Sequence, residues 1–100
     1  MTVVKGTIRE ILKSDSRRVA THRWYAYTDF VLQNGGGKTY RVRLSSKTMK
    51  RCNFLPRAGI DVILDGYVET AEYGLSDYFV SRVKHIRRKD SDIRSVHKPD

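Results

Sequence analysis

Apolar and polar residues alternate along most of this chain with the period of two that a strand requires. Residues 25–44, YAYTDFVLQNGGGKTYRVRL, show it most fully. One face takes Ala26, Thr28, Phe30 and Leu32, then Tyr40, Val42 and Leu44. The opposite face takes Tyr25, Tyr27, Asp29 and Val31, then Thr39, Arg41 and Arg43. NGGG (34–37) separates the two runs, and several of its residues adopt positive φ readily. The stretch therefore predicts a β-hairpin.

Upstream, VVKGTIREIL (3–12) reads as a strand with Val4, Gly6 and Ile8 on one face. Its phase slips after Arg9, because Ile11 and Leu12 are consecutive, which predicts a β-bulge. KSDSRRVATHR (13–23) reads as a polar loop. In SSKTMKRCNFLPRAG (45–59), Met49, Cys52, Phe54 and Leu55 are spaced for a short helix. Ser45 or Ser46 would cap it and Pro56 would end it. IDVILDGYVE (60–69) returns to alternation with Val62, Leu64, Gly66 and Val68 inward. TAEYGLSD (70–77) is a turn, and YFVSRVKHI (78–86) is the last strand. Phe79, Val83 and Ile86 are its core candidates, while the broken period leaves Val80 open. RRKDSDIRSVHKPD (87–100) has no core pattern. The expected organisation is one domain over residues 1–88 and a charged, disordered tail over 89–100.

Charge adds a direction to this outline. Twenty Lys and Arg against eleven Asp and Glu leave +9. The first 58 residues hold thirteen of the basic and three of the acidic residues, whereas residues 59–86 are net acidic. A polyanion site is therefore expected in the first three-fifths of the chain and the tail. One cysteine, Cys52, excludes an internal disulfide and a multi-cysteine zinc site. His22, His85 and His97 are scattered away from ligand spacing. No Ser-His-Asp order, P-loop or paired carboxylates stand out, so the expectation is a protein without enzymatic activity, metal or cofactor. No apolar run is long enough for a membrane span and no signal-peptide pattern opens the chain, so a cytoplasmic location is expected.

Three strands, a short helix and two further strands form the plan of a five-stranded Greek-key OB-fold barrel, all-β apart from the helix. The residues that carry a resemblance are VVKGTIREI, DFVLQN, YRVRL and AGIDVILDGYVET leading to GLSDYFVSRVKHI. Over residues 3–87 the chain resembles the single-stranded DNA-binding proteins and the primosomal replication protein PriB family. Those proteins often end in an acidic, apolar tip, whereas this chain ends SVHKPD. An accessory, plasmid or phage-type binder is the role the resemblance then implies.

The resemblance implies a partner, single-stranded DNA or alternatively RNA, held across the second and third strands between the first and fourth connecting loops. Tyr25 and Tyr27 would stack on bases, and Arg41 and Arg43 would grip phosphates. Without a ligand the same residues are cross-strand pairs that stabilise an exposed sheet. Arg17, Arg18 and Arg23 belong to a basic loop that would close on the strand, or is simply solvated. Lys47, Lys50, Arg51 and Arg57 form a second basic cluster that would extend the path or meet a protein partner. Tyr73, beside Gly74, would reach a bound strand or remain a plain loop residue. Trp24 either lids the barrel or stacks. The competing function is a protein-interaction subunit of a replication or repair complex, and a homodimer through a barrel edge fits the related families.

Overall fold

The computed structural model describes residues 1–20, 23–71, 74 and 76–89, with 16–20 and 23–25 described as backbone. Five strands, β1 (Thr2–Ala20), β2 (Arg23–Gln33), β3 (Thr39–Ser45), β4 (Asp61–Thr70) and β5 (Tyr78–Arg88), surround one helix, α1 (Ser46–Arg51). They close into a barrel in the order β1-β2-β3-β5-β4. Only the β3–β5 pair is parallel. This is the OB-fold that the alternation predicts.

The β2–β3 hairpin follows its sequence pattern. Phe30, Leu32, Val42 and Leu44 are fully buried. The side chain of Asn34 organises the turn by accepting from Gly36 N at 3.0 Å and Lys38 N at 2.9 Å. Gly37 closes it at φ 87°. The β1 register skips Arg9, Leu12 and Val19. These are three irregularities where the sequence predicts one, and β1 pairs with β4 over Thr2–Thr7 and with β2 from Thr7 onward.

Residues 13–20 and 23 correct the expectation of a loop. β1 continues to Ala20 and pairs with β2 as far as Ala20↔Arg23. The reason is cooperative pairing: once Tyr27 and its neighbours extend β2, its backbone N–H and C=O groups need a partner. No inward apolar row marks this ribbon, so periodicity could not show it. Residues 21–22, with His22, and residues 90–100 of the expected tail lie outside the described residues.

β5 brings a second correction. Arg82, Val83 and Lys84 together face the single residue Gly66, between the pairs Tyr67↔Ser81 and Asp65↔His85. Arg82 takes φ 51° to make the bulge. Val80 and Ile86 keep one parity across the bulge and face inward, the bulge turns Val83 inward with them, and Phe79, next to Val80, faces outward and is half-buried. Gly66 is needed where this bulge folds over it. A Cβ there would lie 2.9 Å from Val80 Cγ1 and 3.1 Å from the Ser81 carbonyl oxygen. At Gly6 a Cβ would run into the Gln33 carbonyl.

Ser45 caps α1, its Oγ accepting from Thr48 N at 3.2 Å. The helix ends at Arg51, short of Pro56, because Asn53 turns the chain at φ 50°. That turn buries Phe54 and leaves Leu55 67% exposed, so Leu55 is not a core residue. Met49 and Cys52 pack partly against the core. Two turns of helix cannot stand alone in water. The buried Thr48 fastens this one to the barrel by donating to the Val83 carbonyl. Among the described residues no helix is long and apolar enough to cross a membrane.

Gly6→Ala and Gly66→Ala should each lower stability by about 1–3 kcal/mol, from overpacking against rigid backbone. Gly36→Ala, in an open turn, should stay within about 0.5 kcal/mol. Urea midpoints of the three variants test this, and equal midpoints would remove the close-approach argument.

Candidate nucleic-acid interface

The outer face of β2 and β3 is organised around a buried acid. Asp29 is fully buried although its parity points outward. Arg43 reaches it through a fork, Nε to Oδ1 at 2.9 Å and Nη2 to Oδ2 at 2.9 Å. Arg41 adds Nε at 3.1 Å and Nη2 at 2.8 Å, both to Oδ2. Register explains the cluster. Asp29 is paired directly with Arg43, and Arg41 lies two residues along the same strand face. The two guanidinium groups cover the carboxylate while keeping a third or more of their own surface open. Burial alone would push the Asp29 carboxyl up. The hydrogen bonds from Arg43 and Arg41, with their charges, outweigh this and hold it below its ordinary 3.8.

Above this cluster the rings and guanidinium groups form a ladder. The Arg43 guanidinium carbon lies 4.2 Å from the centre of the Tyr27 ring and 5.6 Å from that of Phe79. Both lie within cation–π range. Tyr27 is half-buried beneath this contact.

Beside the ladder, a groove of about 590 Å³ crosses the sheet. Its floor is a single row of directly paired residues, one from each strand: Glu10↔Val31, Val31↔Arg41, Arg41↔Phe79 and Phe79↔Glu69. Leu12, pushed out by the second β1 bulge, lines one side. Thr70, Ala71, Gly74 and Ser76 of the β4–β5 connection line the other. Asp77 braces that connection against β3. Its carboxylate accepts from Thr39 N at 2.9 Å and Thr39 Oγ1 at 3.1 Å, and its own N–H donates to the Thr39 carbonyl at 3.0 Å. Those hydrogen bonds, first the backbone one, hold its pKa below the usual value.

The structure gathers some of the sequence candidates and separates others. Tyr27, Arg41 and Arg43 share the sheet face, but both arginines are already engaged by Asp29. Arg17, Arg18, Arg23 and Tyr25 belong to the backbone of the β1–β2 ribbon, with Arg17 paired to Tyr25. Tyr73 lies outside the described residues. Lys47, Lys50 and Arg51 are exposed on α1, and Arg51 Nη2 donates to the Lys84 carbonyl of β5. Beyond the helix, Arg57, Arg87 and Arg88 line a second concavity of about 350 Å³. The basic cluster is thus larger than residues 47–57 indicate.

Sequence reasoning missed Asp29 as the organiser, Phe79 as an outward ring, and Glu10 and Glu69 as groove residues. One signal was present. An acid facing Arg-x-Arg across a tight hairpin is positioned to bind both arginines. No comparable signal marked Phe79, because Tyr78-Phe79-Val80 has no readable phase. No protein-family model and no curated protein matches the chain.

Since the native pKa of Asp29 is depressed, its ionic contribution is complete above about pH 4 and is lost as pH falls through the native value. Asp29→Asn should lower stability at pH 7 by about 1–3 kcal/mol, since it weakens hydrogen bonds to charged partners. It should also flatten the fall in stability between about pH 4 and pH 2. Urea unfolding of both proteins across this range measures the effect. Parallel pH profiles would show that Asp29 does not carry the acid sensitivity.

Proposed function

We propose that this OB-fold binds single-stranded nucleic acid, DNA in preference to RNA, and performs no catalysis. One observation carries the reading: Tyr27, Arg43 and Phe79 form a ring–guanidinium ladder on the sheet face, beside a groove bounded by Leu12 of β1 and a braced loop. Unpaired bases stack on such surfaces whatever their sequence, because every base has a π-face.

The charges suggest how the strand would lie. Arg41 and Arg43 serve Asp29, so the sheet face is a poor phosphate channel. The basic residues available as flanks are Lys13, Arg17, Arg18 and Arg23 in the sequence of the ribbon and the exposed Lys47 and Lys50 of α1. Bases would sit toward the sheet and phosphates toward these flanks. This mode resembles that of the single-stranded DNA-binding and PriB families, and would suit a cytoplasmic accessory in replication, repair or mobile-element DNA processing. The engagement of both arginines by Asp29 favours one alternative, a protein-interaction subunit of such a complex.

Titration of the chain against single-stranded DNA, duplex DNA and RNA at two salt concentrations separates the readings. The proposal expects micromolar or tighter binding that prefers the single strand and weakens with salt. Phe79→Ala and Tyr27→Ala should each reduce affinity by about 1–3 kcal/mol, while Tyr27→Phe retains most of it. If both alanine variants stay folded and bind like the parent, the sheet face is not the site, and the protein-interaction reading gains.

A further inference from the structure

We infer that the groove selects guanine from the bound strand, an inference that rests on the single-strand reading above. It starts from a conflict of charge. The floor row carries Glu10 at one end and Glu69 at the other, both exposed, with Arg41 between them already bound to Asp29. Two carboxylates repel phosphate, so the part of a strand that enters this groove is a base.

The order of the row then restricts which base. Phe79 is flanked on one side by Arg41 and on the other by Glu69, each its direct cross-strand partner. Neighbouring strands lie about 4.8 Å apart, so the strand positions of Arg41 and Glu69 flank that of Phe79, two strand spacings from each other, with the Arg41 guanidinium drawn toward Asp29 of β2. Arginine only donates hydrogen bonds, and an ionised carboxylate only accepts them. Arg41 uses Nε and Nη2 on Asp29, and among the described residues Nη1 has no hydrogen-bond partner. A base stacked on Phe79 must therefore offer acceptors toward Arg41 and donors toward Glu69.

Guanine does both. N7 and O6 accept on one edge. On the other edge, N1–H and the N2 amine are adjacent donors, which a carboxylate receives as a bidentate pair. Adenine and cytosine each place a ring nitrogen acceptor next to their amine, which opposes one carboxylate oxygen. Thymine and uracil flank their single N–H with two carbonyls. Glu69 thus discriminates against all four, and Phe79 supplies stacking common to every base.

Fluorescence anisotropy of the full chain tests this, with labelled d(T)15 and versions carrying one central guanine, adenine, cytosine or hypoxanthine. The guanine strand should bind about tenfold tighter than d(T)15, the range of one good bidentate contact. Hypoxanthine, which lacks the N2 amine, should lose most of this gain. Glu69→Gln should abolish the preference. The readout is a ratio within one protein, so any general change in affinity or folding cancels. Equal affinity for all central bases, or a guanine preference that survives in Glu69→Gln, overturns the inference while leaving single-strand binding in place. Failure of every strand to bind overturns the single-strand reading as well.

Discussion

The outer face of this barrel depends on one buried carboxylate. Asp29 has no access to water, and its desolvation is tolerable only because two guanidinium groups donate four hydrogen bonds to it. That arrangement fixes more than a charge pair. It holds two long, flexible side chains in single conformations, and Arg43 in turn orders the Tyr27 ring beneath it. A surface that would otherwise be a set of mobile arginines becomes a preformed platform. The same contact offsets one of the two positive charges that a simple electrostatic reading assigns to Arg41 and Arg43.

What lies next to the platform is decided by irregularities in the strands. Bulges at Arg9 and Leu12 bend β1 around the barrel and bring Glu10 and Leu12 to the groove. The three-against-one bulge opposite Gly66 adds Val83 to the inward row of Val80 and Ile86, while Phe79, one residue before Val80, lies on the outer face. Asp77 ties the β4–β5 connection to the start of β3, so the far wall of the groove is attached to the sheet it borders. The β1 bulges and the Asp77 brace each set one side of the same concavity.

Acidic and basic groups are consequently sorted by position rather than spread evenly. The groove floor carries two glutamates and one arginine already engaged, while Lys47 and Lys50 are exposed on the helix. A net charge of +9 gives no hint of this separation. For a polyanion with aromatic bases, the sorting favours an orientation with bases inward and phosphates at the flanks. It also gives the groove chemistry that differs between bases.

The sequence by itself determined the barrel. Alternation over residues 25–44 and 60–69, the NGGG turn and the slip after Arg9 are local signals, because inward and outward positions along a strand differ in what they must bury. Val4, Ile8, Phe30, Leu32, Val42, Leu44, Val62 and Leu64 were legible as core for that reason, and Tyr27, Arg41 and Arg43 as neighbours on one face. The ribbon at 13–23 was not legible, since its pairing is driven by the partner backbone and leaves no apolar row. Nor was the outward turn of Phe79, because Phe79 and Val80 are consecutive apolar residues and only the pairing of Val80 with Val42 and Val68 decides which of them faces the core. The groove row of Glu10, Val31, Arg41, Phe79 and Glu69 draws one residue from each of five strands. Only the register between strands decides that, and register is a property of the closed barrel: hydrogen bonds between segments far apart in the chain fix which residues meet.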